Sequence, residues 1–296
     1  MKIKTNKQGI LIIAAGHPYY GKMAAALAAS IRAKQSNISI HLAYAGEALK
    51  YLKAEEVCLF TSTSIIPEKF YKLPNGKTAY IRTKLFLPQL SPFQQTIFLD
   101  CDTIWLKNKP DDLFSALDSI DITYQNHGFI DLSAQQLPAG YTLWADINEV
   151  KEAYNLSEGK YYQIHSELMY FEKTEKAKLF FKTALQIYDN LKVKSTVFAG
   201  AIPDELAFAI ASVKLSIYPH LDDWTPVYWA KSFGVTSHLY LLEDSFVAYS
   251  MAGHSSTQTE KEQYNYLAAA AYSKLGICCP FAWKDKKIYL QERKIL

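Results

Sequence analysis

Thr96-Ile97-Phe98-Leu99-Asp100-Cys101-Asp102-Thr103-Ile104-Trp105-Leu106 is the stretch on which the fold of this chain turns. Thr96 to Leu99 is an apolar run of strand length, and a carboxylate stands directly at its end. In extended chain, residues i and i+2 point to the same side, so Asp100 and Asp102 converge. Two such carboxylates raise each other's cost of ionisation unless a cation lies between them. Oxygen ligands of this kind select magnesium or manganese, usually shared with substrate phosphates. Taken alone the pair is a weak sign, because acidic residues also end strands simply by entering a solvated turn.

Working outward from that strand, the pattern alternates strand and helix. Gly9 to Ala15 reads as a buried strand running through Gly16-His17-Pro18 into a helix over Gly21 to Lys34, where Met23, Leu27 and Ile31 share a face. Ile38 to Tyr44 reads as a second strand, Glu47 to Ala54 as a short helix and Val57 to Phe60 as a third strand. Tyr80 to Leu90 carries helical spacing up to Pro92. Beyond the carboxylates come a short helix at Leu113 to Leu117, a strand at Ile120 to Tyr124 and a polar, aromatic stretch from Gln125 to Lys160 with little periodicity, which reads as a long functional loop. Ile164 to Phe171 reads as a strand. Thr174 caps a helix with Ala177, Phe180, Phe181, Ala184 and Tyr188 on one stripe, and Pro203 opens another over Asp204 to Ser212 before a strand at Leu215 to Tyr218. Leu239 to Tyr249 reads as extended and Glu260 to Leu275 as helical. The alternation predicts an α/β fold whose mixed, mostly parallel sheet is covered by helices. Ligands of such sheets bind beyond the carboxyl ends of the strands, which is where Asp100 stands.

With 296 residues, 49% of them hydrophobic, the chain can bury a large core. Its net charge of +3 has no long like-charge blocks, so nothing forces nucleic-acid binding. The early apolar run Ile10 to Ala15 is far below the roughly 20 residues of a membrane span, which gives the expectation of a cytoplasmic protein without an integral membrane segment. The basic end with Lys284, Lys286, Lys287, Arg293 and Lys294 reads either as a solvated tail or as a peripheral contact with a membrane or polyanionic acceptor. Cys58, Cys101, Cys278 and Cys279 lack metal-ligand spacing and are expected as reduced thiols.

Tyr80-Ile81-Arg82-Thr83-Lys84-Leu85, followed by the Asp100-Cys101-Asp102 strand end and Asp112-Leu113-Phe114, resembles glycosyltransferase family eight, the glycogenin and bacterial lipopolysaccharide galactosyltransferase group. The resemblance implies a GT-A, Rossmann-like fold and a metal-dependent transfer of a sugar from a nucleoside diphosphate-sugar, with UDP as the carrier and retention of configuration. It implies manganese or magnesium on Asp100 and Asp102, and Arg82 and Lys84 at the nucleotide or its phosphates; the alternative for those two cations is a solvated helix face. Ile164-His165-Ser166-Glu167 resembles the family's sugar-pocket strand, with His165 in place of asparagine and Glu167 in place of glycine. Asp204-Glu205 resembles its aspartate-glutamine helix start, although two acids at a helix N-terminus are also favoured by the dipole alone. Tyr249-Ser250-Met251-Ala252-Gly253-His254 resembles the segment that supplies a histidine ligand to the metal. Ser250 occupies that histidine position here, and His254 is the alternative third ligand.

The expected site is therefore Ala14, Ala15, Gly16, Arg82, Lys84, Asp100, Cys101, His165 and Ser166 at the donor, Asp100, Asp102 and His254 at the metal, and Asp204, Glu205 and Glu167 at the reacting sugar. Residues 1–255 are expected as the GT-A domain and 256–296 as a C-terminal helical and basic extension packed on it. The acceptor stays open among a glycan, a lipid-linked sugar, a protein and modified DNA. Two rival readings accompany this one: a phosphatase of the haloacid dehalogenase type, and a binding module that keeps the GT-A fold without activity.

Overall fold

The computed structural model describes residues 7–107, 109–135, 137, 141–142, 144–197, 200–230, 239–251, 257–279, 281–284 and 287–290. In chain order its elements begin with β1 (Gln8–Ala14), α1 (Tyr19–Arg32), β2 (Ser39–Tyr44), α2 (Ala54–Val57) and β3 (Ser62–Ile65). After a 3-10 helix at Tyr80–Phe86 come α3 (Leu87–Leu90), β4 (Gln95–Asp100), β5 (Thr103–Trp105), α4 (Pro110–Ala116), β6 (Ile122–Asp131), β7 (Tyr141–Thr142) and β8 (Ala145–Asp146). Then follow α5 (Ile147–Tyr154), β9 (Lys160–Glu172), α6 (Glu175–Asp189), α7 (Asp204–Leu215), β10 (Val227–Trp229), a helix at Leu239–Ser245, β11 (Ala248–Ser250) and a helix at Gln258–Lys274. The hairpin strands Phe281–Lys284 and Lys287–Leu290 come last. Six strands form one mixed sheet in the order β3-β2-β1-β4-β9-β6.

Two compact units are built from separate stretches of chain. One, called here the N-terminal unit, comprises Gln8–Ile65, Leu99–Asp118 and Pro226–Leu296; the other, the middle unit, comprises Met1–Lys7, Ile66–Phe98 and Ser119–Thr225.

In the N-terminal unit β1 pairs parallel with β2, Ile10 opposite Ile40 and Ile12 opposite Leu42, and β2 pairs parallel with β3. Ile10, Leu11, Ile12, Ile40 and Leu42 are all fully buried, so both faces of these strands are covered, which explains their unbroken apolar runs. Helix α1 packs close to its neighbours because it is rich in alanine and because Gly21 meets the Ala48 carbonyl; a Cβ at Gly21 would lie 1.8 Å from that oxygen. A second sheet, β10-β11-β5, lies within the same unit, with Ser250 of β11 opposite Thr103 of β5. The backbone of Trp105 donates to Ser30 Oγ of α1 at 2.8 Å, which fixes β5 against that helix.

Residues 47–60 depart from the sequence reading. Residues 46–51 make turns, α2 begins only at Ala54, and Val57 closes it instead of opening a strand. The reason is tertiary: Glu56 is fully buried, pairs with the equally buried Lys22 of α1, accepts from the Lys53 backbone and receives the Tyr272 hydroxyl at 3.1 Å. The helix starts where that carboxylate can cap it. The third strand shifts to the polar Ser62–Ile65.

In the middle unit β6 and β9 run antiparallel, with irregular register after Tyr124 and after Asn126. Helix α6 begins at its Thr174 cap, and its stripe meets α7 and β9 through Phe180, which stacks on Phe208 at 5.6 Å, and Phe181, which stands edge-on to Phe171. The stretch read as one loop, Gln125 to Lys160, instead continues β6 to Asp131 and holds the β7-β8 hairpin and α5, the last capped by Asp146 on the amides of Asn148 and Glu149. The stretch Leu215 to Tyr218 is no strand: α7 runs to Leu215 and ends in left-handed Ser216. Leu239–Ser245 is helical where extended chain was expected, and only Ala248–Ser250 is strand. No helix among the described residues is long and apolar enough to cross a membrane.

Candidate functional site

The carboxylate pair sits where the sequence placed it. Asp100 is the last residue of β4, Asp102 follows one residue later, and both are partly exposed while Cys101 between them turns inward and is buried. Two bonds hold the carbonyls of the turn: Thr103 Oγ1 donates to the Asp100 carbonyl at 2.8 Å and the Met251 amide to the Asp102 carbonyl at 3.4 Å. The Asp100 and Asp102 side chains bring two carboxylates to this turn. That all-oxygen donor set fits magnesium or manganese. Among the described residues no group of three or more His, Cys, Asp or Glu is arranged to hold a metal. Ser250 is fully buried in the ladder opposite Thr103. His254 lies outside the described residues.

Also in the N-terminal unit, Ala14 is buried at the end of β1 and its carbonyl accepts from Ala45 at 3.0 Å. Ala15 and Gly16 are partly exposed, and Gly16 adopts φ of 94°, a left-handed conformation that favours glycine.

Within the middle unit Lys84, Ser166 and Glu205 form a chain. Lys84 Nζ donates to Ser166 Oγ at 3.0 Å and lies 5.7 Å from the centre of the Phe98 ring, while the Ser166 amide donates to Glu205 Oε1 at 3.2 Å. Glu205 stands in the first turn of α7 beside Asp204, whose carboxylate is buried, and Glu167 follows Ser166 on β9. His165 is buried, and burial together with the neighbouring His127 and Lys84 pushes its imidazole down to about 3, so it is neutral throughout the physiological range. A neutral imidazole carries one N–H donor and one lone-pair acceptor.

Arg82 is used differently from its neighbour two residues on. Its Nε and Nη2 form a bidentate pair with Asp189 at 2.8 and 2.7 Å, and Nη1 donates to the carbonyls of Lys69 and Phe70. The side chain is buried. It holds the 3-10 helix that carries Lys84 against α6.

His127 was not foreseen. Its ring stands edge-on to His165 with centroids 4.4 Å apart, and burial lowers its pKa against the opposing pull of Asp223. The segment bearing Asp223 is fastened to β6 and β9: His220 N bonds Thr123 Oγ1, Asn126 bonds the Leu221 and Trp224 carbonyls, and Asp222 receives both Lys160 and the Tyr162 hydroxyl. No periodicity marks this contact, because Gln125 to His127 lie at the irregular register of β6 and read as loop.

No family model and no curated protein sequence matches this chain. Among solved structures it is similar to the apo structure of the bifunctional glycosyltransferase WbbM, with TM-score 0.58 and 14% identity over 93% of this chain and 52% of that one. The chain thus spans about half the length of that protein. It is also similar to the galactosyltransferase LgtC in complex with donor and acceptor sugar analogues (TM-score 0.51, 13% identity, 88% of this chain and 95% of that one) and to an active-site variant of LgtC (TM-score 0.53, 14% identity, with the same coverage). At such identities the likeness is one of fold: a mixed α/β sheet with flanking helices, of the GT-A glycosyltransferase type.

Proposed function

On the premise of a GT-A-type fold, we propose that this chain is a glycosyltransferase that moves a sugar from a UDP-sugar to an acceptor hydroxyl, with retention of anomeric configuration. The observation that carries the reading is the placement of Asp100 and Asp102 at the carboxyl end of β4, in a fold shared with a galactosyltransferase solved with donor and acceptor sugar analogues. Asp100 and Asp102 hold manganese or magnesium, which when bound neutralises the departing diphosphate as a Lewis acid. Lys84 presents its ammonium to phosphate oxygens. Ala15 and Gly16 admit the nucleotide to close backbone approach. His165 reads a sugar hydroxyl, and the carboxylates of Asp204, Glu205 and Glu167 stabilise the positive charge that builds at the anomeric carbon. The bond from that carbon to the phosphate oxygen breaks with its electron pair on the phosphate, the acceptor oxygen adds on the same face, and its proton passes to the leaving oxygen.

The test is a panel of nucleotide sugars assayed for manganese-dependent thermal stabilisation, followed by UDP release with glycan, lipid-linked sugar, protein and modified-DNA acceptors. A donor that binds only the folded chain raises its Tm. A UDP-sugar that stabilises the chain with manganese and not without it supports the reading, and indifference to every nucleotide sugar rejects it. Stabilisation without turnover on any acceptor would mark an inactive module of the same fold.

A further inference from the structure

Gln125 of β6 is fully buried, and neither its amide oxygen nor its amide nitrogen finds a hydrogen-bond partner among the described residues. A buried amide unpaired at both ends forfeits the bonds it had with water, so such a group calls for an occupant. Its place in the sheet says where that occupant would lie. Gln125 stands directly opposite His165 on β9, so the two side chains leave the same face, and His127, two residues along β6, joins them there with its ring edge-on to His165 at 4.4 Å. Tyr124 takes the other face, where it stacks on Phe180 and bonds Ser212. The ladder is also broken at this point. Between the pairs Tyr124–Met169 and Gln125–His165, β9 inserts Ser166, Glu167 and Leu168, the kind of bulge that re-aims side chains beside a site. Lys84 and Glu205 both fasten on Ser166 of that insertion. The row on this face thus runs from buried Gln125 and His165 to partly exposed His127, beside the residues that hold the bulge.

We propose that Gln125 is a specificity-determining residue of the donor site, whose amide takes two neighbouring hydroxyls of a neutral hexose as the sugar enters past His127, one hydroxyl donating to Oε1 and the other accepting from Nε2. This rests on the transferase reading of Lys84, His165 and Glu205. An unengaged primary amide presents an acceptor and two donors in one plane. A vicinal diol supplies both complements at once, since each hydroxyl can give or take. A carboxylate offers acceptors only and would leave Oε1 facing lone pairs. The N–H and C=O of a trans acetamido group point opposite ways, so one amide plane cannot meet both. Uronic acids and N-acetylated sugars therefore fit this position less well than a hexose with free hydroxyls. Neutral His165 adds one donor and one acceptor to the same face.

The experiment compares Gln125→Met with the parent in the full chain. It reads the Tm of the ligand-free protein and, by calorimetry with manganese, the affinities for UDP, UDP-glucose, UDP-galactose and the monodeoxy analogues of the better-bound hexose. Gln125→Met keeps the length of the side chain and deletes both unpaired groups, so the ligand-free Tm is expected to hold or rise. UDP affinity is expected to stay parental, while the UDP-hexose is held about tenfold more weakly. Two neighbouring monodeoxy analogues are expected to bind more weakly than the intact hexose in the parent and to match it in Gln125→Met. Parental affinity of Gln125→Met for the UDP-hexose overturns the inference while leaving the transferase reading standing, and a lowered ligand-free Tm beside it would mark an amide bonded to an internal water. Equal losses for UDP and the UDP-hexose also overturn it, by showing a purely structural role. A parent chain that binds neither UDP nor either UDP-hexose rejects the transferase reading itself and the inference with it.

Discussion

Lys84 Nζ donates to Ser166 Oγ over 3.0 Å, and through that bond the 3-10 helix Tyr80–Phe86 meets β9 at the residue whose amide is held by Glu205. An ammonium is a point charge with three donors, and phosphate oxygens take it up through charge-assisted hydrogen bonds. Lys84→Ala is therefore expected to weaken UDP binding by about 1.5–3 kcal/mol, roughly ten- to hundredfold, with the fold retained. Calorimetry giving the same affinity for variant and parent would move Lys84 out of the donor site.

Arg82 makes the opposite demand. Its bidentate pair with Asp189 is largely shielded, and removing one partner leaves the other charge unpaired. Arg82→Ala is expected to lower unfolding stability by about 3–5 kcal/mol in urea titration. The folded fraction is expected to bind UDP with nearly parental affinity. A large loss of UDP affinity at unchanged stability would reverse the assignment of this arginine to the interior.

Asp102→Asn tests the carboxylate pair. The amide keeps the shape and loses the charge, so the variant is expected to fold with parental Tm and to lose manganese-dependent stabilisation by UDP. Unchanged stabilisation would remove Asp102 from the cation.

His165 supplies a dependence on pH. Its pKa is lowered to about 3 in the folded chain, against about 6.5 when unfolded. Between those values the unfolded state binds a proton that the folded state refuses, so stability is fully present above about 6.5 and falls as pH drops towards 3, by on the order of 1.4 kcal/mol per pH unit. His41, lowered by burial to about 4, acts in the same direction. His165→Asn is expected to flatten this decline relative to the parent across that window without abolishing it. Superimposable stability profiles for variant and parent would show that His165 titrates normally.

Much of the framework was legible because it rests on local physics. The apolar run into Asp100, the Thr174 cap with its stripe and the Pro203 start each announce themselves within a few residues, and each is present in the fold. What the sequence hid depends on distant partners. The start of α2 is set by Lys22 and Tyr272 meeting Glu56, and the polar edge strand Ser62–Ile65 has no apolar alternation to mark it. Within the site, the carboxylates were visible because they share one strand end. The fate of Arg82 was not, because Asp189 is far along the chain, and neither was the contact of His127 with His165, which a bulged strand brings together.

The pairing of β5 with β11 carries a consequence for synthesis. Thr103–Trp105 follow directly on Asp102, yet their ladder partners Ala248–Ser250 emerge from the ribosome roughly 140 residues later, about 7–30 s at ordinary elongation rates. Throughout that interval the nascent chain displays an apolar strand with an open edge, the kind of surface that invites mispairing. The β5–β11 ladder is thus among the last pairings of its unit to close, although Ser30 of α1 is already available to the Trp105 amide, and holdase chaperones that shield the open edge would be expected to raise the yield of folded protein.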